Sequence, residues 1–336
     1  MKHRIAIVKG GFLYLYIEYF KKLCTDHNIE IDFFEKGTMR IENSEMYDFI
    51  LSDNTPTFGV CKIFHQHSIL YQLSKSNNPL YSIIYFIFHL NKIKNSFIQN
   101  KSYRKAICVS TEIKRDLEKF YKIPPEKIIV SHAGFVEPEQ NNDNKVFKKF
   151  DNNSTFTICT SAVGFVTKGG YTLLNALREF RKMFPNIKIK ANIIYPKHKR
   201  NLGVKLFVKL FKLTDMVEFY GYQDNINNFY NQAHCLTCQS IYEAFGRIVT
   251  EAMYQKIPVI VGNNIGASDI IEDGVNGFIF ENNKNRSRNL ALKIKEVYDQ
   301  YNDLSQLVEN AYKTSKQLTW QDFAKEIFYN LYPEHI

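Results

Sequence analysis

The chain has 336 residues, of which 45% are hydrophobic and 23% charged, and a formal net charge of +10. This balance is typical of a globular protein, and the length predicts one large core or, by preference, two cores of about 150 residues each. The apolar run before Lys9 has four residues, which is too short for a signal-peptide core, so we expect a cytoplasmic protein. The cysteines have no short-spaced framework, which excludes a disulfide scaffold and predicts reduced, mostly buried thiols at Cys24, Cys61, Cys108, Cys159, Cys235 and Cys238.

Strand-like apolar runs alternate with longer helical patterns, which predicts parallel sheets flanked by helices. In the first half a helix is predicted at Thr111–Phe120. The predicted strands are Ile5–Val8, Glu30–Phe34, Phe49–Leu51, Cys61–Phe64, Ala106–Val109 and Lys127–Val130.

A basic, aromatic-rich stretch follows the fourth predicted strand. No acidic residue lies between Asp53 and Glu112, and the apolar run from Ile83 to Phe88 is far shorter than the roughly 20 residues of a spanning helix. We therefore expect residues 79–105 to lie on an anionic membrane surface. In the alternative interpretation, the apolar residues belong to the core and the lysines form a solvated face. The basic residues are Lys62, Lys75, Lys92, Lys94, Lys101, Arg104 and Lys105.

Residues 137–154 are polar, Asn-rich and aperiodic, which is typical of a linker between domains. We predict an N-terminal domain over residues 1–150 and a C-terminal domain over 151–316. A helix through Phe184 follows the first strand of the second domain. Its predicted strands are Thr155–Thr160, Ala191–Tyr195, Val217–Tyr220, Cys235–Cys238, Val259–Val261 and Phe278–Phe280.

Two doubly wound domains leave a cleft at the carboxyl ends of their strands, where ligands bind. Several turns are expected to face this cleft, and the glycines among them let a diphosphate approach the backbone. They are Lys9-Gly10-Gly11, Phe64–His67, Lys168-Gly169-Gly170, Ser240–Gly246 and Gly262–Ser268.

The segment SIYEAFGRIVTEAM, residues 240–253, predicts an amphipathic helix preceded by a glycine turn. Glu243 lies just before the helix, and Glu251 lies on its polar side, four residues after Arg247. The amides of Phe245, Gly246 and Arg247 are expected to point at an anion, with a carboxylate on either side to accept hydrogen bonds from hydroxyls. An anion flanked by hydroxyls indicates a nucleotide sugar.

Five stretches carry a resemblance to a known family. They are KGGYTLLNALREF, FYGYQDNINNFYNQAHC, SIYEAFGRIVTEAMYQKIPVIV and GASDIIEDGVNGFIF in the second domain, and ICVSTEIKRDLEKFYKIPPEKIIVSHAGF in the first. The four stretches of the second domain, in this order, together with the one in the first domain, resemble glycosyltransferase family 4, the retaining enzymes with an EX7E motif. The resemblance implies the GT-B fold, an α/β fold of two Rossmann-like doubly wound domains facing a central cleft.

The resemblance also implies roles for individual residues. Glu243 would contact donor-sugar hydroxyls, Glu251 the nucleotide ribose and Lys168 the diphosphate. His67, or in second place His65, would contact the sugar or the acceptor. Gly10-Gly11 would approach the reacting centre. The other residues expected to line the donor site are Phe245, Gly246, Arg247, Gly169 and the backbone of Gly266-Ala267-Ser268.

Two departures from the family pattern concern the phosphates and the linker. The chain reads Ser-Ala-Val-Gly-Phe at residues 161–165, where the family usually has an arginine on the phosphates. Phosphate binding then rests on Lys168, helix amides and Arg247. The usual Asn-Gly before the linker is Ala133-Gly134, which keeps the glycine.

We expect no cofactor and no metal, because the sequence contains no Asp-X-Asp motif. The lone CxxC at Cys235–Cys238 lies in a strand-like run, so packing is preferred over a metal or redox role.

The acceptor is expected to be a glycan or a lipid-linked saccharide, as in cell-surface polysaccharide or lipopolysaccharide biosynthesis. A nucleic-acid binder is the competing class, because the isoelectric point is about 9.1. No basic helix with base-reading residues supports it, and a DNA-modifying sugar transferase stays a minor alternative. A non-catalytic sugar-binding relative is a third class, which the missing arginine favours and the intact glutamates and lysine oppose.

The last segment predicts a capped helix over residues 319–332 within the terminal region 317–336. Thr319 is the expected N-cap, with Asp322 three residues on. Its apolar stripe includes Trp320, the only tryptophan. In the resembling family the final helix packs back on the first domain, and we expect the same here. The alternative is a helix confined to the second domain.

Overall fold

The structure is a computed structural model of the whole chain. It describes residues 3–8, 15–35, 46–52, 60–64, 105–135, 145–151, 153–195, 202–223 and 226–335. Within these ranges no helix is both long enough and apolar enough to cross a membrane. The chain divides into two compact units: Met1–Val136 with Leu318–Ile336, and Glu137–Gln317. We call them the N-terminal unit and the C-terminal unit.

The N-terminal unit is built on a parallel sheet of six strands in the order β2-β1-β3-β4-β5-β6. Besides the last helix of the chain, its described α-helices are α1 (Ile17–Asp26) and α2 (Thr111–Tyr121). Ser110 caps α2 by accepting a hydrogen bond from the amide of Ile113, as helix N-termini require. The strands are β1 (Arg4–Val8), β2 (Glu30–Phe34), β3 (Phe49–Ser52), β4 (Val60–Phe64), β5 (Lys105–Cys108) and β6 (Ile128–Val130).

The C-terminal unit has a second parallel sheet of six strands, in the order β12-β11-β10-β7-β8-β9. Strands β10 and β11 are wholly buried, as expected where helices cover both faces of a sheet. The strands are β7 (Phe156–Ser161), β8 (Ile189–Ile194), β9 (Val217–Tyr220), β10 (Cys235–Cys238), β11 (Val259–Gly262) and β12 (Phe278–Phe280). The helices are α3 (Gly170–Met183), α4 (Leu202–Leu210), α5 (Ile226–Tyr230), α6 (Arg247–Tyr254), α7 (Arg286–Gln300) and α8 (Ser305–Gln317).

The strand order reverses between β7 and β10, because the chain winds outward from β7 on one side and from β10 on the other. In open parallel sheets ligands bind outside the carboxyl ends of the strands at such a switch point. The loops after β7, β10 and β11 therefore occupy the ligand-binding position of this unit.

The final helix, α9 (Trp320–Leu331), belongs to the N-terminal unit. It packs on α1: the rings of Tyr16 and Trp320 stack at 6.1 Å between centroids, and those of Phe20 and Phe328 meet edge to face at 5.9 Å. Thr319 caps the helix by accepting from the amide of Asp322 at 3.0 Å. The return of the last helix to the first domain is therefore confirmed.

The boundary between the units comes earlier than the sequence pattern placed it. The N-terminal unit ends at Val136, and Phe150 is buried in the core of the C-terminal unit. Its ring meets that of Phe156 edge to face at 5.3 Å, and its amide donates to Asn302 at 2.8 Å. Phe147 packs against the same core, with its ring 4.9 Å from that of Tyr301. Two phenylalanines in an Asn-rich stretch are too few to show a periodicity, so the sequence pattern there is that of a linker.

Candidate functional site

The first of three loops at the switch point is the turn after β7. The amides of Lys168 and Gly170 donate to the carbonyls of Gly164 and Phe165, both at 2.7 Å. Gly169 has φ +67°, and a Cβ there would lie 2.0 Å from the carbonyl oxygen of Gln239. Only glycine fits this position, because both the backbone conformation and the space exclude a side chain.

This turn is tied to the end of β10. The side-chain amide of Gln239 donates to the carbonyl of Lys168 at 3.2 Å, and the amide of Ile241 donates to the carbonyl of Thr167 at 2.8 Å. Gln239 is buried, so water does not compete for its hydrogen bond. The two loops thus hold each other in place.

The ties bring Lys168 and Glu243 together across 75 positions of sequence. The Lys168 ammonium group donates to Oε2 of Glu243, which also accepts from the Ser240 hydroxyl at 3.3 Å. The Lys168 side chain is 37% exposed and that of Glu243 is 16% exposed. The site therefore presents a cation and a carboxylate side by side, both within reach of a ligand.

Helix α6 starts directly after this carboxylate. Its N-cap is Gly246, with φ +96°, where a Cβ would lie 3.2 Å from Cγ of Glu243. Phe245 is buried, and Arg247 at the first helical position is exposed. The positive end of the helix dipole and the exposed residue Arg247 thus follow Glu243 closely along the chain, which favours binding of an anion.

The loop after β11 braces the turn before α6. The amide of Gly266 donates to the carbonyl of Glu243 at 3.2 Å, and that of Ala267 to the carbonyl of Phe245 at 2.6 Å. A Cβ at Gly266 would lie 1.9 Å from the carbonyl oxygen of Ala244, so the loops approach as closely as backbones can. The amide of Ser268 donates to the carbonyl of Ile265. The amides of Gly266 and Ala267 therefore hold the backbone of the turn that carries Glu243, while that of Ser268 closes its own loop.

Glu251 lies on α6 and accepts a 2.9 Å hydrogen bond from the hydroxyl of Tyr230. Burial raises the pKa of Glu251, while the Tyr230 hydrogen bond and the charge of Arg247 lower it. Burial and the nearby carboxylate raise the pKa of Tyr230 well above its usual value, so the phenol stays a donor. Glu251 is thus a mostly desolvated carboxylate, which makes each hydrogen bond that it accepts stronger.

The sequence pattern does not indicate three residues that position the site by hydrogen bonds: Tyr230, Gln239 and Asn282. Tyr230 ends a five-residue helix, and Gln239 follows β10, so neither belongs to a pattern of its own. Asn282, after β12, donates to the carbonyl of Ser240 at 2.9 Å. One signal for Gln239 was available: it is a polar residue at the carboxyl end of a buried strand, where ligand-binding loops begin.

Four residues named from the sequence, Gly10, Gly11, His65 and His67, lie outside the described residues, as do residues 79–104.

The two thiols of the CxxC are buried on opposite faces of β10: Cys235 packs in one core cluster of the unit and Cys238 in the other. They therefore do not form a chelating pair. Cys238 lies beneath the site, where burial raises its pKa to about 12.

Comparison with known proteins places this site in a family. Residues 141–314, more than half of the chain, match the sequence profile of the family described as "Glycosyl transferases group 1". An uncharacterized glycosyltransferase of Methanocaldococcus jannaschii is 28% identical over 218 residues, which cover 65% of this chain and 56% of that relative. The chain thus matches little more than half the length of this relative.

Two solved structures resemble the chain over nearly its whole length. HepE of Anabaena, in complex with UDP and glucose, has a TM-score of 0.63 at 17% identity and covers 98% of this chain and 99% of its own. WaaG, described as a glycosyltransferase involved in lipopolysaccharide biosynthesis, has a TM-score of 0.62 at 12% identity, with coverage of 98% and 99%. At these identities the likeness establishes the fold: the GT-B fold predicted from the sequence is confirmed.

Proposed function

The chain belongs to the glycosyl transferases of group 1, and we propose that it is a retaining, metal-independent member of glycosyltransferase family 4. It moves a sugar from a nucleotide-diphosphate sugar to a glycan or lipid-linked saccharide. The single observation that carries this proposal is the pairing of Lys168 with Glu243 beside the N-terminus of α6.

This pair offers both halves of a sugar diphosphate a partner. A diphosphate attracts the Lys168 ammonium group, the helix N-terminus and Arg247, and the sugar next to it presents hydroxyls to Glu243. Donor binding thus exchanges one ion pair for a cation–phosphate contact and a carboxylate–hydroxyl contact. Neither group is left buried without a partner.

Glu251 supplies the second carboxylate of the EX7E motif, about one turn into α6. With Tyr230 holding one of its oxygens, it is oriented to accept hydrogen bonds from vicinal hydroxyls such as those of a ribose. In this arrangement Glu243 contacts the sugar and Glu251 contacts the nucleoside, with the diphosphate between them at the N-terminus of α6.

In the proposed reaction the acceptor hydroxyl attacks the anomeric carbon on the face from which the nucleoside diphosphate leaves. The new glycosidic bond forms, the bond between the anomeric carbon and the phosphate oxygen breaks, and the hydroxyl proton passes to that oxygen. Charge develops on the departing phosphate, where Lys168 and the α6 N-terminus stabilise it. Metal independence is proposed because the sequence lacks Asp-X-Asp and the site supplies its own positive charge.

We assign the acceptor to cell-surface polysaccharide or lipopolysaccharide synthesis, with the reaction at the cytoplasmic face of the membrane. Support comes from the net charge of +10, the basic stretch that contains residues 79–105 and the likeness in fold to WaaG. These features suit a lipid-linked or anionic acceptor held near an anionic surface. Nucleic acid is disfavoured, because the basic stretch coincides with apolar bulk.

The test starts from purified full-length protein and a panel of UDP-, GDP-, ADP- and dTDP-sugars with EDTA present. Thermal stabilisation identifies the nucleotide, because a ligand that binds only the folded state raises its stability. Hydrolysis or transfer from the matching sugar is then measured for the wild type and for Glu243→Gln. We expect turnover in EDTA that the variant lowers. Stabilisation without turnover for any donor would identify a non-catalytic sugar binder, and a strict need for Mg²⁺ or Mn²⁺ would contradict the proposed diphosphate site.

A further inference from the structure

Residues near the two ends of the described chain, before β1 and after α9, lie close together in the N-terminal unit. His3 lies just before β1, and Glu334 and His335 lie in the short turn Pro333–His335 after α9. One potential ligand atom from each lies within 4.8 Å of the others. We propose that these three residues, the chain-end cluster, bind a divalent transition-metal ion of the zinc class.

The donor set suits such an ion. Two imidazole nitrogens and one carboxylate oxygen are borderline ligands that zinc accepts at about 2.0–2.2 Å, with water in the fourth position. Two ligand atoms on one tetrahedral zinc ion lie about 3.3–3.5 Å apart, so atoms up to 4.8 Å apart need to close by up to about 1.5 Å. His3 and Glu334 are 44% and 50% exposed, so their side chains are free to make this adjustment.

A carboxylate already orients His3 for the role. Its Nδ1 lies 3.0 Å from Oδ2 of Asp48, and its Nε2 lies 3.8 Å from Oε1 of Glu334. Asp48 is fixed in turn by the amide of Arg4, which donates to the same oxygen at 2.9 Å. In metal sites a carboxylate on one ring nitrogen sets the tautomer and leaves the other nitrogen to the ion.

His335 supplies the observation that an ordinary ion pair does not explain. Its Nε2 is buried and has no hydrogen-bond partner among the described residues. The ring centroid lies 4.8 Å from that of His27, 6.0 Å from that of His3 and 6.2 Å from that of Phe328. Contacts of His3 with Asp48 and Glu334 give those three side chains partners but leave Nε2 of His335 without one. A metal ion would either bind this nitrogen or turn the ring so that the nitrogen finds a partner.

The consequence is structural. An ion held by these residues ties the first strand to the turn after the last helix and so holds α9 on its unit. This site is separate from the Lys168–Glu243 pair, which belongs to the C-terminal unit, so it does not depend on the proposed transfer reaction.

The experiment uses metal-depleted full-length protein without an affinity tag, titrated with Zn²⁺ by calorimetry and with Co²⁺ by visible absorption. We expect one ion per chain, a rise in melting temperature, and a tetrahedral Co²⁺ spectrum that Zn²⁺ abolishes. His335→Gln and Glu334→Gln should each weaken Zn²⁺ binding at least about tenfold, and Asp48→Asn by about 10–100-fold.

The controls are Glu326→Gln, an exposed carboxylate on α9, and His27→Gln, an imidazole beside the cluster. Both should keep wild-type Zn²⁺ affinity. Glu334 is exposed, so its variant folds even if His335→Gln does not. Failure of Zn²⁺ to bind, or binding that Glu334→Gln leaves unchanged, overturns the proposal.

An independent observation concerns helix α4. Leu202, Leu206 and Leu210 are 80%, 61% and 68% exposed, and their four-residue spacing puts them on one face. The opposite face packs in the core through Val204 and Val208. We call the exposed residues the leucine stripe. Three large exposed leucines in a row are unusual for a surface that only water covers.

The charge around the leucine stripe identifies its occupant. Lys205 and Lys209 are exposed on the same helix, and the sequence has no acidic residue between Glu179 and Asp215. An exposed apolar face bordered by lysines is the pattern of a helix that lies in the interface of an anionic membrane. We infer that α4 docks the C-terminal unit on an anionic lipid surface, which goes beyond the membrane role proposed for residues 79–105.

The test measures co-sedimentation with phosphatidylglycerol-containing vesicles and with pure phosphatidylcholine vesicles. We expect binding to the anionic vesicles that falls at least about tenfold in Leu206→Gln/Leu210→Gln and is weakened by salt. Leu292→Gln, a 44% exposed leucine on α7, is the matched control and should bind like the wild type. Equal binding to both vesicles, or binding unaffected by the double variant, overturns the inference. Loss of a dimer on size exclusion in the double variant would instead identify a second copy as the occupant and also overturn it.

Discussion

The hydroxyl of Tyr230 donates a 2.9 Å hydrogen bond to Oε2 of Glu251 and so joins the end of α5 to α6. Tyr230 is buried, which keeps its phenol in one position. The bond uses one carboxylate oxygen and leaves the ligand the other oxygen and the remaining lone pairs. Tyr230 is therefore a positioning residue for the proposed ribose contact.

Tyr230→Phe keeps the ring and removes this one bond. We expect the donor KM to rise about 3–10-fold with little change in kcat, because the loss of one hydrogen bond to a carboxylate costs roughly 1 kcal/mol where the ring still packs. Glu251→Ala should weaken nucleotide binding by about 1.5–3 kcal/mol. The measurement is steady-state kinetics with the donor identified by thermal stabilisation.

A double-mutant cycle separates positioning from packing. In a Glu251→Gln background, Tyr230→Phe should raise KM by much less than it does alone, since the two groups then no longer form the same bond. Equal effects of Tyr230→Phe in both backgrounds would show that the tyrosine does not act through Glu251.

Glu251 also predicts a pH dependence. Burial raises its pKa, so it takes up a proton as pH falls while ordinary glutamates are still ionised. The protonated carboxyl loses an acceptor, so nucleotide affinity should fall with falling pH above the usual glutamate range of about 4.3. The effect of pH on folding stability through Glu251 has the opposite direction. Because its pKa is higher in the folded state than in the unfolded state, Glu251 stabilises the folded state most at low pH. This stabilisation is lost as pH rises through the folded-state pKa.

Nucleotide titrations across this range check the prediction, with Glu251→Gln as the control. In Glu251→Gln, position 251 no longer carries a titratable group. The nucleotide affinity of the variant should therefore be lower than that of the wild type at neutral pH and should lack the pH dependence that Glu251 causes. A wild-type profile parallel to that of Glu251→Gln would assign the pH dependence to another group.

Lys168 is expected to matter for turnover and little for stability. Lys168→Ala should lower kcat by about 10²–10³, the usual cost of removing one group that stabilises developing charge. It should lower the unfolding free energy by only about 0–1 kcal/mol, because the Lys168–Glu243 pair is partly exposed.

Lys190 provides a matched control for this variant. It pairs with Glu218 in the same unit, and its side chain has the same 37% exposure as that of Lys168. Lys190→Ala should change neither kcat nor the melting temperature measurably. A loss of turnover equal to that of Lys168→Ala would indicate a general effect of charge.

The strands were predictable because they are short runs rich in apolar residues, bounded by polar and turn-forming residues. Glu30–Phe34, Val217–Tyr220, Cys235–Cys238 and Phe278–Phe280 coincide with the observed strands. The glycine turns were also predictable as ligand-binding loops, because parallel strands bring their carboxyl ends to one edge of the sheet.

The contacts within the site were not predictable in the same way. Nothing in the sequence pairs Lys168 with Glu243 directly, since their proximity follows from the hydrogen bonds of Gln239 and Ile241. Tyr230 gave no signal, because its role depends on one tertiary contact of a short helix. The anchoring role of Phe150 could not be predicted for a similar reason, since Phe147 and Phe150 alone are too few to form a periodic pattern.

The last prediction concerns Gly134, the glycine before the linker. A Cβ at this position would lie 2.5 Å from the amide nitrogen and 2.7 Å from Cδ2 of Trp320, and the next residue, Phe135, donates its amide to the carbonyl of Leu318 at 3.0 Å. The start of α9 therefore lies directly on the backbone of residues 134–135. Gly134→Ala should push α9 away and cost about 1–3 kcal/mol, as overpacking does.

Calorimetry and far-UV circular dichroism on the full chain measure this effect, which corresponds to a fall in melting temperature of roughly 2–4 °C per kcal/mol for a unit of this size. The control is Gly221→Ala, where a Cβ would meet no atom within 4 Å. Deletion of residues 317–336 should destabilise the protein further and abolish transfer, because α1 then loses the packing of Trp320 and Phe328. A Gly134→Ala variant that melts like Gly221→Ala would mean that α9 does not need this close approach to hold its place.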